Sequence, residues 1–222
     1  MDKEMIDLLC HVPAHAGYAA NASELDTEDI DAARVEKLKT IIAVDIDDTT
    51  DDYAHYCAAR LLCSWGYECG FKMISQYIFR EDLMEMRCYE QHRSWPYNDT
   101  YTHALTAVKR YHAQLSETKL DPVSRIEIRS PIIKIIKLSN VKPFQIDNSF
   151  NLVGYYHYEE YKPHFIEHLS AIIDHIDIHR WKIFDALRFV NTFDPEFVSS
   201  LLNARGKTID DYKLNPNWSP DD

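Results

Sequence analysis

Four histidines, His164, His168, His175 and His179, recur at spacings that suit metal ligation. The pairs 164/168 and 175/179 stand four residues apart. On one continuous helix all four would fall within about 60° of one another. Imidazoles so placed can hold Zn²⁺. Neither pair contains the glutamate of a His-Glu-x-x-His arrangement, however, and the surrounding Phe165, Ile166, Leu169, Ile172, Ile173 and Ile176 make an apolar stripe. The histidines then read as the polar edge of that stripe, and a helix break near Asp177 would scatter them. We therefore expect no metal and no cofactor. No nucleophile stands out either: the chain has no Gly-x-Ser-x-Gly string and no distinctive Cys–His signature.

A second candidate is the string Ile41-Ile-Ala-Val-Asp45-Ile-Asp47-Asp48-Thr49. An apolar run leading into Asp-x-Asp-x-Thr is similar to the first motif of haloacid dehalogenase-type phosphatases. The resemblance implies Asp45 as the nucleophile toward phosphorus and Asp47 as acid/base, with Mg²⁺ offsetting phosphate charge. The rest of the chain departs from that family. No Gly-rich turns follow, nor a strand ending in Ser or Thr, nor a well-placed Lys and later acidic pair. As local structure the same residues form a helix-to-helix connection. Asp48, Thr49 or Thr50 would cap the helix starting at 51, with the acids near its positive end.

The third candidate is Tyr155-Tyr-His-Tyr-Glu-Glu-Tyr161. Four tyrosines and two acids in seven residues are too polar for a core strand. Tyrosine offers large contact area at low entropic cost, as binding hot spots require. Charge points the same way. The net charge is −12, and residues 1–52 hold 14 acids against 4 bases. Such a block repels phosphate backbones and attracts a basic partner. We expect a partner-binding surface built from Asp45, Asp47, Asp48, Asp51 and Asp52, together with Tyr155, Tyr156, Tyr158, Glu159 and Glu160. Nucleic acid and membrane are not expected partners.

The elements that position these groups read as helices. Only five glycines occur in 222 residues, and no two lie closer than Gly66 and Gly70, so Gly-rich phosphate loops are absent. Asp51–Gly66 followed by Tyr67–Ile78 reads as a helical hairpin closed at Gly66. Ala58 and Ala59 would permit close approach, and Leu61, Leu62 and Trp65 would form the apolar stripe. Helices are also expected over 1–12, 27–44, 100–116, 163–176 and 178–192, and over 196–204 ending at Gly206. Ser130-Pro131 reads as a helix start, with Arg125–Arg129 alternating like a short strand before it. The stretch 140–156 reads as loop. No run of about 18 apolar residues suggests a membrane span. Five cysteines without pairing pattern, and a start without a signal peptide, fit the cytosol.

The layout of Asp51–Gly66, echoed by 178–206, resembles HEAT-like helical repeats. It implies an all-α fold of stacked helical hairpins, a degenerate HEAT-like solenoid, in one domain over 1–222 with an extended tail from 207. An acidic helical chain of this size also resembles the immunity proteins of bacterial toxin systems, including contact-dependent growth inhibition. That resemblance implies occlusion of a partner toxin domain, often a basic nuclease, and within that class we expect an RNase. The phosphatase and a HEAT-like scaffold are the alternatives.

Overall fold

The computed structural model describes residues 2–44, 52–81, 97–117 and 121–213. Asp45, Asp47, Asp48 and Asp51 lie outside these residues. Among the described residues the protein is all-α, with ten helices joined by turns and short 3-10 segments. They are α1 (Lys3–Cys10), α2 (Ala32–Ile42), α3 (Asp52–Ser64), α4 (Glu68–Phe79), α5 (Thr100–Glu117), α6 (Asp121–Leu138), α7 (Asn151–Gly154), α8 (Lys162–Ile172), α9 (Ile176–Asn191) and α10 (Pro195–Asn203). The chain divides into two compact units: residues 1–90 with 100–132, and residues 91–99 with 133–222.

In the first unit α3 is the central helix and packs on α1, α2, α4 and α5. Its composition demands this. Ala54, Tyr56, Ala58, Ala59, Leu61, Leu62 and Cys63 are all buried, and a helix apolar on every side has no face to give to water. Its polar side chains are accommodated inside: Tyr56 Oη donates to the Thr100 carbonyl at 2.9 Å, and His55 Nδ1 pairs with Tyr77 Oη at 3.0 Å. The helix ends where the sequence says it should. Gly66 takes φ +84°, its N–H bonds the Cys63 carbonyl, and the Tyr67 N–H bonds the Leu62 carbonyl. These two bonds are the glycine-closed Schellman end. The close approach of α3 to α4 occurs at Gly70. A Cβ there would lie 2.3 Å from the Cys63 nitrogen and 2.6 Å from the Leu62 carbonyl carbon.

Several boundaries differ from the sequence expectation. Thr27–Asp29 is a separate 3-10 turn, and Asp31 caps α2 by accepting from the Ala33 N–H. Helix α6 runs unbroken through Pro131 where a strand and a fresh helix start were expected. The reason is burial: Ser124, Ile128, Ile132, Ile135 and Ile136 are all buried on one helical stripe, while Ile126 is 75% exposed. The apparent two-residue alternation of Arg125–Arg129 is thus incidental, and tertiary burial outweighs the proline. Cys57 and Cys63 are buried, as small hydrophobes should be, but Cys10 and Cys69 are exposed.

In the second unit α9 packs on α8, on α10 and on a 3-10 turn at Ile209–Tyr212. Part of the stretch expected to be extended is therefore folded, with Tyr212 buried. Gly206 (φ +60°) closes α10 with the same bond pattern as Gly66, from Gly206 to Asn203 and from Lys207 to Leu202. Between Ser139 and Tyr161 the chain forms two further 3-10 turns and the one-turn α7. Phe150 stacks on Phe189 with ring centroids 4.1 Å apart, and Phe165 meets both rings edge-on.

Candidate functional site

The tyrosine run becomes a graded aromatic ledge in the second unit. Tyr158 is buried at 4% exposure and Tyr155 is 74% exposed. Tyr156, half-buried between them, stacks on Tyr158 at 5.4 Å and meets Tyr155 edge-on at 5.1 Å. The backbone is held by α7: Tyr155 and Tyr156 N–H groups bond the Asn151 carbonyl, and the Tyr158 N–H bonds the Leu152 carbonyl. His157 sits at φ +57° in the left-handed region. A non-glycine residue there stores of order 1 kcal/mol, held by the surrounding bonds. Glu159 is exposed and pairs with Lys162. Glu160 is half-buried, and Tyr161 is fully buried beneath. Of the expected contact residues here, Tyr158 is thus the base of the ledge and not part of its outer surface. Tyr155, Tyr156 and Glu159 form that surface.

The acidic candidates are placed differently. Asp52 opens α3, and its side chain lies outside the described residues. Ile41 and Ile42 belong to the last turn of α2, so the apolar run before Asp45 is helical at that point. In the first unit Asp26, Glu28 and Asp31 are exposed beside Asp29. Asp29 Oδ2 accepts from Tyr18 Oη at 2.5 Å and its Oδ1 meets His15 Nε2 at 2.9 Å. The Tyr18 hydrogen bond, then the His15 contact, hold the Asp29 carboxyl below its ordinary value, and the same bond raises the Tyr18 phenol.

The four histidines do not form a stripe. The helix breaks after Ile172, and His175 becomes the cap of α9. His164 lies 3.9 Å from Glu167, and His175 is exposed. His168 and His179 are instead brought to one residue the sequence reading did not single out, Asn140. His168 Nδ1 lies 2.7 Å from Asn140 Oδ1, and His179 Nε2 lies 3.2 Å from the Asn140 carbonyl. Next to them Lys182 is buried, its Nζ donating to the carbonyls of Ser139 (2.5 Å), Lys142 (3.2 Å) and Phe144 (3.4 Å). Three N–H donors thus meet three carbonyls just past the C-terminus of α6, where a cation is favoured. Burial pushes the Lys182 ammonium down to about 7. Burial, then the charge of Lys182, pushes His179 down to about 4 and His168 well below its ordinary value. No local signal marks Lys182: in the sequence it is one lysine among helical residues, and only the fold buries it.

Among the described residues no three His, Cys, Asp or Glu side chains gather as a metal site would need. No described helix is long and apolar enough to cross a membrane. Comparison with protein families, with curated proteins and with solved structures finds no match for this chain.

Proposed function

We propose that the protein is a cytoplasmic immunity protein that binds and occludes a basic toxin nuclease domain, and within that class an RNase. The observation that carries this is the ledge Tyr155–Tyr156–Tyr158. Exposed aromatic rings on a bonded, preorganised turn offer contact area without ordering cost. The adjoining Glu159 and Glu160 suit a basic partner, and the acidic block of residues 1–52 supplies the field that speeds encounter. The helical end of the run before Asp45 supports this over a phosphatase.

The test is titration of the protein against the toxin domain encoded by the neighbouring gene, with nuclease activity and binding kinetics followed together. Stoichiometric inhibition is expected. Tyr155→Ala is expected to weaken binding about 30-fold, chiefly by faster dissociation, as loss of a hot-spot ring of about 2 kcal/mol would. Charge reversal at Asp47 and Asp48 should slow association and reduce its salt dependence. Full nuclease activity at saturating protein would overturn the proposal. So would Mg²⁺-dependent turnover of a phosphoester that Asp45→Asn abolishes, which would establish the phosphatase instead.

A further inference from the structure

Residues Ser139–Phe144 leave the end of α6 and are held by backbone bonds to it and by three basic side chains. The Val141 and Lys142 N–H groups close onto the Leu138 carbonyl at 3.2 and 3.0 Å. Lys182 of α9 grips three carbonyls of the segment, His168 of α8 holds the Asn140 side chain, and His179 of α9 holds the Asn140 carbonyl. No carboxylate takes part in these bonds.

The bonds also settle which ring nitrogens carry protons. The Ser139 hydroxyl donates to the Ile136 carbonyl at 2.8 Å, so toward His168 Nδ1 both Ser139 Oγ (3.2 Å) and Asn140 Oδ1 act as acceptors. Nδ1 of His168 is therefore the donor. A backbone carbonyl can only accept, so Nε2 of His179 is the donor there. The bare nitrogens are His168 Nε2 and His179 Nδ1, and both are buried without a hydrogen-bond partner. A second proton on either ring would create a buried cation with nothing to accept from it, beside the Lys182 ammonium.

We propose that Ser139–Phe144 is an acid-released latch: protonation of His168 and His179 frees the segment from α8 and α9. The charges acting on the two rings come from α9. Lys182 acts on both, His179 opposes protonation of His168 and His175 that of His179, while the bond to the Asn140 carbonyl and the exposed Asp177 favour protonation of His179. The other charged residues of the packed elements include Lys134 and Lys137 of α6, Lys142 in the segment, Asp147 after it, Glu167 of α8, and Arg180 and Asp185 of α9. Lys137 and Glu167 are exposed, and Glu167 turns to His164.

The direction follows from linkage. A ring held near 4 in the closed segment, but free to titrate near 6.5 when released, binds more protons in the open form between those values. Closure is therefore lost as pH falls from about 6.5 toward 4. At pH 5, His179 alone raises the opening equilibrium about 30-fold over pH 7.5, and His168 adds to that.

The test is amide hydrogen exchange on the full chain at pH 7.5 and 5.0, corrected for the intrinsic pH dependence of exchange. The Val141 and Lys142 amides are expected to lose about 30-fold or more in protection, while α3 amides keep theirs. At pH 7.5, NMR of the rings should show His168 protonated at Nδ1 and His179 at Nε2. In His168→Gln/His179→Gln the pH response should shrink to the roughly 4-fold that release of Lys182 contributes. Undiminished protection at pH 5.0 would overturn the latch. So would either ring titrating at or above pH 6.5 with protection intact, or a double variant that keeps the full pH response. The ring titration is read on the unaltered protein and holds even if the variant does not fold.

Discussion

Gly70→Ala is expected to destabilise the first unit by about 3 kcal/mol, at the upper end of what overpacking a core costs. Helix propensity alone argues the opposite, since alanine is favoured over glycine inside a helix by about 1 kcal/mol. Contact geometry decides between the two. The added Cβ would stand 2.3 Å from the Cys63 nitrogen, 2.6 Å from the Leu62 carbonyl carbon and 2.6 Å from Leu62 Cβ. Two of these are backbone atoms of α3 and cannot swing aside, so α4 would have to move away from the helix around which the unit is built. A fall in melting temperature of about 6–12 °C should accompany the loss. Two other glycines provide the scale. Gly66→Ala meets the left-handed φ of +84° and Gln114 Cβ at 3.0 Å, for a cost of about 1–2 kcal/mol. Gly154→Ala enters open space at an ordinary φ and should change stability by no more than about 0.5 kcal/mol. Urea titration of the three variants should rank them in that order. A Gly70→Ala protein with the midpoint of the parent would show that α3 and α4 do not approach as described.

Lys182→Met should destabilise the second unit by about 2–4 kcal/mol. Methionine keeps most of the stem volume and removes the ammonium. Three carbonyls, of Ser139, Lys142 and Phe144, then lose their shared donor. Each buried acceptor left without a partner costs about 1–3 kcal/mol, and relief from burying a charge offsets part of the total. The pH dependence has a defined sign. Lys182 titrates near 7 in the fold and near its ordinary 10.5 when unfolded, so between those values the unfolded chain binds more protons. The parent therefore gains stability over Lys182→Met as pH rises from 7 to 10. Urea titrations of both proteins at pH 7 and 9 would show the gap widening. A gap that narrows would mean that burial does not depress Lys182, and a variant as stable as the parent at pH 7 would mean that Lys182 does not hold the Ser139–Phe144 segment.

The parts of the fold that were legible are those with a local cause. Helix α3 announces itself because Ala58, Leu61, Leu62 and Trp65 recur at helical spacing and Gly66 supplies the one backbone conformation that ends it. The same holds for α10, capped by Asp194, opened by Pro195 and closed by Gly206. The start of α6 was not legible, because Ser130-Pro131 is a stronger local signal than a stripe whose burial depends on residues far away in sequence. The tyrosine run was legible as an aromatic cluster, but not its depth: Tyr155 and Tyr158 are alike in type and differ in whether α7 and its neighbours cover them. The histidines were visible as a group and misleading as a stripe. Their spacing assumes a continuous helix, and three residues of turn between Ile172 and Ile176 rotate the two pairs apart.

From its amino acids alone, this chain determines an all-helical architecture, a hairpin at 52–79 and an acidic N-terminal quarter, because helix periodicity, glycine conformation and charge are properties of neighbouring residues. The first candidate for chemistry, the four histidines, was decided only by tertiary structure. Packing of α8 and α9 around the end of α6 separates His164 and His175 from the pair that matters. It brings His168 and His179 to Asn140 and buries Lys182 among three carbonyls. Burial and hydrogen-bond partners arise from residues some 28 to 43 positions apart in the chain, and no spacing within a helix carries that information.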